Sequence, residues 1–145
     1  MVTFDFSGEI VLVTGATGAL GRVVARQFQQ AGATLALTAR NGEALHALFA
    51  DLALNPDHLL IGDIDLTRPE DADQLGERLR QRFGQLHIVV NTVGGYEAGP
   101  PVHETPVAAW DRMMDLNVRS AFLVARATAP LLMASGKGAM VHVSG

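Results

Sequence analysis

Five short apolar runs, separated by longer stretches of helical spacing, constrain this chain more than any other feature. They are EIVLVT at 9–14, TLALTA at 34–39, HLLIG at 58–62, LHIVVN at 86–91 and AMVHVS at 139–144. Continuous apolar character and β-branched content suit strands covered on both faces. Strands that alternate with helices form βαβ units. Right-handed crossovers then lead to an α/β fold, a doubly wound parallel sheet of five strands in the order 3-2-1-4-5.

The helical stretches carry their own signals. In 19–31 the residues Leu20, Val23, Val24, Gln27 and Phe28 fall at helical spacing, and Gly32 marks a stop. Residues 43–53 and 69–83 repeat the pattern, with Thr67 as candidate N-cap ahead of Pro69 and Gly84 as the next stop. A longer helix is predicted over 106–133, with Trp110, Met113, Met114, Asn117, Ala121 and Val124 along one side. Pro130 is expected to kink or end it, because proline has no N–H for the carbonyl one turn back. With no repeat or internal linker, the 145 residues read as one domain, 1–145.

Charge and composition exclude several functions. The net charge is -4 and Lys137 is the single lysine, so nucleic acid and anionic membranes are not expected partners. There is no cysteine, and the five histidines lack ligand spacing, so no metal is expected. The apolar stretch 121–133 is broken by Arg126 and Pro130 and is too short to span a bilayer. Residues 1–8 carry Asp5 and no basic leader, which points to a cytoplasmic protein.

Directly after the first run stands TGATGALG, residues 14–21, opening into the first helix. Gly15 permits a tight turn, Gly18 lets backbone approach a pyrophosphate, and Gly21 lets helix and strand pack closely. Free amides at the helix start supply donors and positive dipole for phosphate oxygens. Thr14, Gly15, Thr17, Gly18, Ala19, Leu20 and Gly21 are therefore candidate dinucleotide contacts in a Rossmann-type fold. At the end of the second run, where an acid would bind a free ribose 2′-hydroxyl, the sequence reads TARN. Arg40 is the charged group there, and a guanidinium grips a 2′-phosphate through paired bonds. This predicts NADP, with NAD as the alternative.

TGATGALG resembles the leading motif of the short-chain dehydrogenases/reductases. It departs in spacing: the classical branch reads TGxxxGxG, whereas glycines 15, 18 and 21 follow the TGxxGxxG of the extended epimerases and dehydratases. The resemblance places Asp65 and Leu66 at the adenine, although Asp65 equally reads as a loop acid turning the chain toward Thr67. NTVGG, 91–95, is similar to the family's NNAG, which implies cross-strand bonding by Asn91 and room for the nicotinamide ribose at Gly94. The family's proton-relay asparagine falls on Asn117, which competes with a simple buried structural asparagine. GAMVHVSG is similar to GxIVNISS and makes Ser144 a candidate catalytic serine. These later motifs resemble the classical branch more closely.

The family's reaction is hydride transfer between nicotinamide and a carbonyl or alcohol carbon, with a tyrosine and a lysine four residues later moving the proton. Neither can be carried over: Tyr96 has Pro100 four residues on, and Lys137 has Met133 four before. Tyr96 reads as flanking the cleft or packing as a loop aromatic. The expectation is an NADP-dependent oxidoreductase represented by its inactive amino-terminal portion, with a small carbonyl or alcohol as substrate of a full chain. A catalytically silent dinucleotide-binding module and an extended-type epimerase or dehydratase are the alternatives. Pairing of family members through the long helix implies a homo-oligomer.

Overall fold

The computed structural model describes residues 3–143. Strands β1 (Ile10–Thr14), β2 (Thr34–Thr38), β3 (Leu59–Ile61), β4 (Ile88–Asn91) and β5 (Ala139–His142) form one sheet in the order β3-β2-β1-β4-β5. Every pairing is parallel, and Leu12 of β1 aligns with Ala36 of β2 and Val89 of β4. Successive strand residues point to opposite faces. Leu12, Ala36 and Val89 therefore pack on one side with Leu75, Leu79, Leu123 and Val124. Val11, Val13, Leu35 and Leu37 pack on the other with Ala25, Leu45 and Phe49.

The helices on these faces are α1 (Ala19–Gln30), α2 (Gly42–Leu48), α3 (Ala50–Ala53), α4 (Pro69–Phe83), α5 (Val107–Met114) and α6 (Ser120–Ser135). A 3₁₀ turn at Val102–Glu104 precedes α5, and a π-helical turn at Asp115–Arg119 joins α5 to α6.

Six expectations need correction. In α1 the buried residues are Gly21 and Ala25, whereas Leu20 and Val23 are exposed. Small residues let this helix lie close on the sheet, so its larger apolar groups turn outward. The stretch 43–53 divides at Phe49, whose backbone (φ -123°, ψ 39°) leaves the helix while its ring enters the core. Thr67 does not cap α4; Arg68 holds that place without a side-chain bond, and the Thr67 hydroxyl instead donates to Asp65 Oδ1 at 2.7 Å. An acceptor two residues back outcompetes the helix end.

The longest helical stretch differs most. Pro130 lies inside α6, which continues to Ser135, and the irregularity comes earlier as the π turn. An interior proline costs about 3 kcal/mol, and burying Leu131 and Leu132 behind it returns about 1.5 to 3 kcal/mol each. The π turn also rotates the register, so that Trp110 is exposed while Val124 is buried, and the predicted single side does not exist. Lastly, β5 is not covered on both faces: Ala139, Val141 and His142 are exposed. It pairs with β4 alone among the described residues and forms the sheet's edge.

Candidate functional site

In a doubly wound sheet the ligand cleft opens at the carboxyl ends of the strands, where connections diverge to opposite sides. Here that point lies between β1 and β4. A cleft of about 240 Å³ opens there, walled by Gly15, Thr17 and Gly18 after β1, by Thr38 through Asn41 at the end of β2, by Ile64 through Thr67 after β3, by Thr92, Val93 and Gly94 after β4, and by Leu116.

The first turn is shaped for close backbone approach. Gly15 has φ +65°, in the left-handed region, and Gly18 N–H donates to Gly15 O at 2.9 Å. Ala16 N–H donates to Thr38 O at 3.1 Å and ties the turn to β2. A Cβ on Gly21 would stand 2.8 Å from the carbonyl carbon of Gly15, inside contact distance. Gly18 is the N-cap of α1 and brings no side chain to its amides. The first-turn donors of a twelve-residue helix thus remain free for an anion.

Thr92, which stands at the second position of NTVGG where NNAG has asparagine, holds this turn in place. Its hydroxyl donates to Thr14 O at 2.7 Å, and a Cβ on Gly15 would lie 2.8 Å from its Oγ1. Only the pairing of Thr14 with Asn91 brings residue 92 beside residue 15.

Arg40 is exposed and lines the cleft at the end of β2. Asp65 is the one acid on the wall among the described residues. Its Oδ1 accepts from Thr67 N–H at 3.0 Å and from the Thr67 hydroxyl at 2.7 Å. The Thr67 hydroxyl holds the Asp65 carboxyl below its ordinary value, burial opposes this, and the charges of Arg40 and Arg68 add to it. Asp65 therefore turns the loop and also lines the cleft, beside Leu66.

Asn91 is buried and bonds across three strands. Its Oδ1 accepts from the Thr14 hydroxyl and from Val93 N–H at 3.3 Å, and its Nδ2 lies 3.1 Å from His142 Nδ1. With Oδ1 already occupied, the amide group Nδ2 is the donor toward His142. Gly94 makes room for Asn117, since a Cβ on it would lie 2.8 Å from Asn117 Oδ1.

Of the sequence candidates, Gly15, Thr17, Gly18, Arg40, Asp65, Leu66 and Gly94 meet on the cleft wall. Thr14, Ala19, Leu20, Gly21, Asn91 and Asn117 stand off it, in supporting positions or at the helix start. Ser144 lies outside the described residues. Tyr96 does not pack and is not on the cleft wall: it is 86% exposed, two residues beyond Gly94. Lys137 pairs with Glu9 at 2.7 Å, at the opposite end of the sheet. The wall residues not assigned a cofactor role from the sequence are Thr38, Ala39, Asn41, Ile64, Thr67, Thr92, Val93 and Leu116, most of them neighbours of assigned residues within TARN and NTVGG or beside Asp65 and Leu66. No metal-ligand cluster and no helix long and apolar enough to cross a membrane occurs among the described residues.

Comparison with known proteins agrees with this arrangement. A 3beta-hydroxysteroid dehydrogenase of Eggerthella lenta is 30% identical over 135 residues, covering 93% of this chain and 52% of that protein. An uncharacterized oxidoreductase of Mycobacterium tuberculosis is 35% identical, with 97% of this chain and 51% of that protein covered. The chain thus spans about half the length of the curated relatives it matches. Among solved structures, a metagenomic short-chain oxidoreductase in complex with NADP superposes with a TM-score of 0.84 at 28% identity, covering 96% of this chain and 63% of that one. A Pseudomonas aeruginosa RhlG/NADP complex gives a TM-score of 0.81 at 32% identity, covering 93% and 52%. The model of the short chain dehydrogenase family matches residues 9–145, and with the glycine turn, the strand order and the cleft between β1 and β4 already in place, the chain belongs to that family.

Proposed function

We propose that residues 1–145 form a single NADP-binding domain of an oxidoreductase that acts on a small carbonyl or alcohol substrate. The observation that carries this reading is Arg40, an exposed guanidinium on the cleft wall at the end of β2, where a 2′-hydroxyl reader would be acidic. Two structural neighbours are themselves NADP complexes. The residues fit the cofactor: Gly15 and Gly18 bring no side chain to the cleft wall, and the amides at the start of α1 are uncapped.

On this reading the amides after Gly15 hold the diphosphate, Arg40 grips the 2′-phosphate, and Asp65 with Leu66 borders the adenine. Asn91 braces the strand end beside the nicotinamide ribose, with Gly94 giving it space. The nicotinamide, when bound, supplies or accepts the hydride. Asn117 belongs to the proton relay and holds the Gly95 loop, Ser144 contributes a hydroxyl to the carbonyl oxygen, and proton transfer is assigned to neither Tyr96 nor Lys137. A cytoplasmic location goes with this function. Self-association is supported by the apolar line of Val107, Trp110, Met114, Val118 and Phe122, all exposed along α5, the π turn and α6.

Calorimetric titration with NADPH and NADH tests the proposal. Charge-assisted contacts to the 2′-phosphate are worth roughly 1.5 to 3 kcal/mol, or about tenfold to a hundredfold in preference. Arg40→Ala is expected to erase that preference, and an unchanged one refutes the role. The spacing of glycines 15, 18 and 21 favours a second reading, an extended-type epimerase or dehydratase, which NAD retained through purification would support.

A further inference from the structure

Among the described residues one non-glycine has positive φ: Asp63, at φ 58°. Aspartate tolerates this left-handed conformation better than most residues, but at a cost that a fold retains only where something depends on it. Its carboxylate shows what depends on it. Oδ1 accepts from the backbone N–H of Gly42 at 3.1 Å, joining the loop after β3 to the turn after β2.

The two turns are pressed together around that bond. A Cβ on Gly62 would fall within the contact shell of Gly42 Cα, and a Cβ on Gly42 would lie 2.9 Å from Asp63 Oδ2. At the other end, Ala39 N–H donates to Ile61 O at 3.4 Å and Ile64 N–H donates to Ala39 O at 3.3 Å. Ala39 and Gly42 are thus both fastened to the segment 61–64. Arg40 and Asn41 lie between the two fastenings, and Arg40 lines the cleft while Asp63 does not.

We infer that Asp63 is a positioning residue for dinucleotide selectivity, holding the Ala39–Gly42 turn so that the Arg40 guanidinium starts from a fixed backbone. This rests on the proposed role of Arg40 toward a 2′-phosphate. A guanidinium fork binds an anion directionally, so a backbone free to shift lowers its grip even with the side chain intact. Of the contacts common to both dinucleotides, those on the glycine turn are not fastened through Asp63, and Asp65 at the adenine is held separately, by Thr67 and by Asp71 Oδ2, which accepts from Asp65 N–H at 2.8 Å. Loss of the carboxylate therefore weakens one nucleotide and spares the other.

The test titrates this chain and its variants with NADPH and with NADH. Asp63→Ala is expected to weaken NADPH about fivefold while NADH changes less than about twofold. Asp63→Asn keeps an oxygen acceptor and tolerates positive φ, so it retains the wild-type ratio. In an Arg40→Ala background, Asp63→Ala leaves the ratio where Arg40→Ala put it. If Asp63→Ala does not fold, Asp63→Gly relieves the backbone while still removing the carboxylate, and the same loss of selectivity is expected. Equal weakening of both nucleotides, an unchanged ratio, or tighter NADPH binding from removal of a repelling charge each overturns the inference. An Arg40→Ala variant that keeps the preference, or a folded wild-type chain that takes up neither nucleotide, overturns the underlying NADP reading instead and the inference with it.

Discussion

Asn117 and Gly95 hold each other through two reciprocal hydrogen bonds: Gly95 N–H donates to Asn117 Oδ1 at 3.0 Å, and Asn117 Nδ2 donates to Gly95 O at 2.9 Å. The same Nδ2 also donates to Met113 O at 2.9 Å, a carbonyl beside the π turn. One amide therefore satisfies the irregular helix backbone and pins the loop that follows β4. Asn117→Leu keeps the branched outline of the side chain and removes all three bonds. A loss of about 0.5 to 1.5 kcal/mol is expected, since the exposed Gly95 groups turn to water, measured by urea unfolding, together with weaker nucleotide binding from the released loop. Full stability in this variant would show that the amide bonds are incidental.

Gly21→Ala probes the closest backbone approach at the site. The new methyl would meet the Gly15 carbonyl, which is backbone and cannot rotate away. Overpacking of this kind costs about 1 to 3 kcal/mol. Because the strain falls on the phosphate turn, affinity for both NADPH and NADH should drop together, in contrast to the selective effect expected at Arg40. Calorimetry with both nucleotides separates the two outcomes.

His58 ties stability to pH. Its Nδ1 accepts from Leu35 N–H at 2.9 Å, which requires the neutral ring. Burial pushes its pKa below the ordinary 6.5, with Asp57 and Asp51 opposing weakly. A base whose folded pKa is depressed stabilises the fold above its unfolded pKa, and that contribution fades as pH falls through the folded value. The gap in urea midpoint between wild type and His58→Leu should accordingly be largest near pH 8 and shrink below about pH 6. A gap that widens on acidification would reverse the assignment.

Arg26 fastens the interrupted second helical stretch to α1. Its guanidinium donates to Gln29 Oε1, Asp51 Oδ2 and Leu48 O, each at 2.7 Å, and stacks 4.7 Å from the Phe49 ring centroid. Arg26→Lys preserves charge but not the fork or the stacking face. A loss of about 1 kcal/mol is expected, seen as a lower thermal midpoint with nucleotide selectivity unchanged.

Much of the fold and part of the site were legible in the linear pattern. Apolar runs located every strand to within two residues, and TGATGALG with its flanking strand and helix located the glycine turn that walls the cleft. Arg40 follows from its place at a strand end in this topology, whereas Asp65 and Gly94 follow from the resemblance of their motifs to the family's. Thr92, His142 and Asp63 left no such trace. Each acts on a partner far along the chain, and nothing in its own neighbourhood distinguishes it from a loop or strand residue.

What the amino-acid order alone determined was periodicity, turn chemistry and charge, because these depend on neighbours a few residues apart. What the tertiary structure decided was which side chains meet. The Thr14–Asn91 bond joins residues 77 apart and exists only because β1 and β4 are neighbours in the sheet. Likewise, the break at Phe49, the passage of α6 through Pro130 and the outward turn of Leu20 follow from burial against a completed sheet, which outweighs local preference.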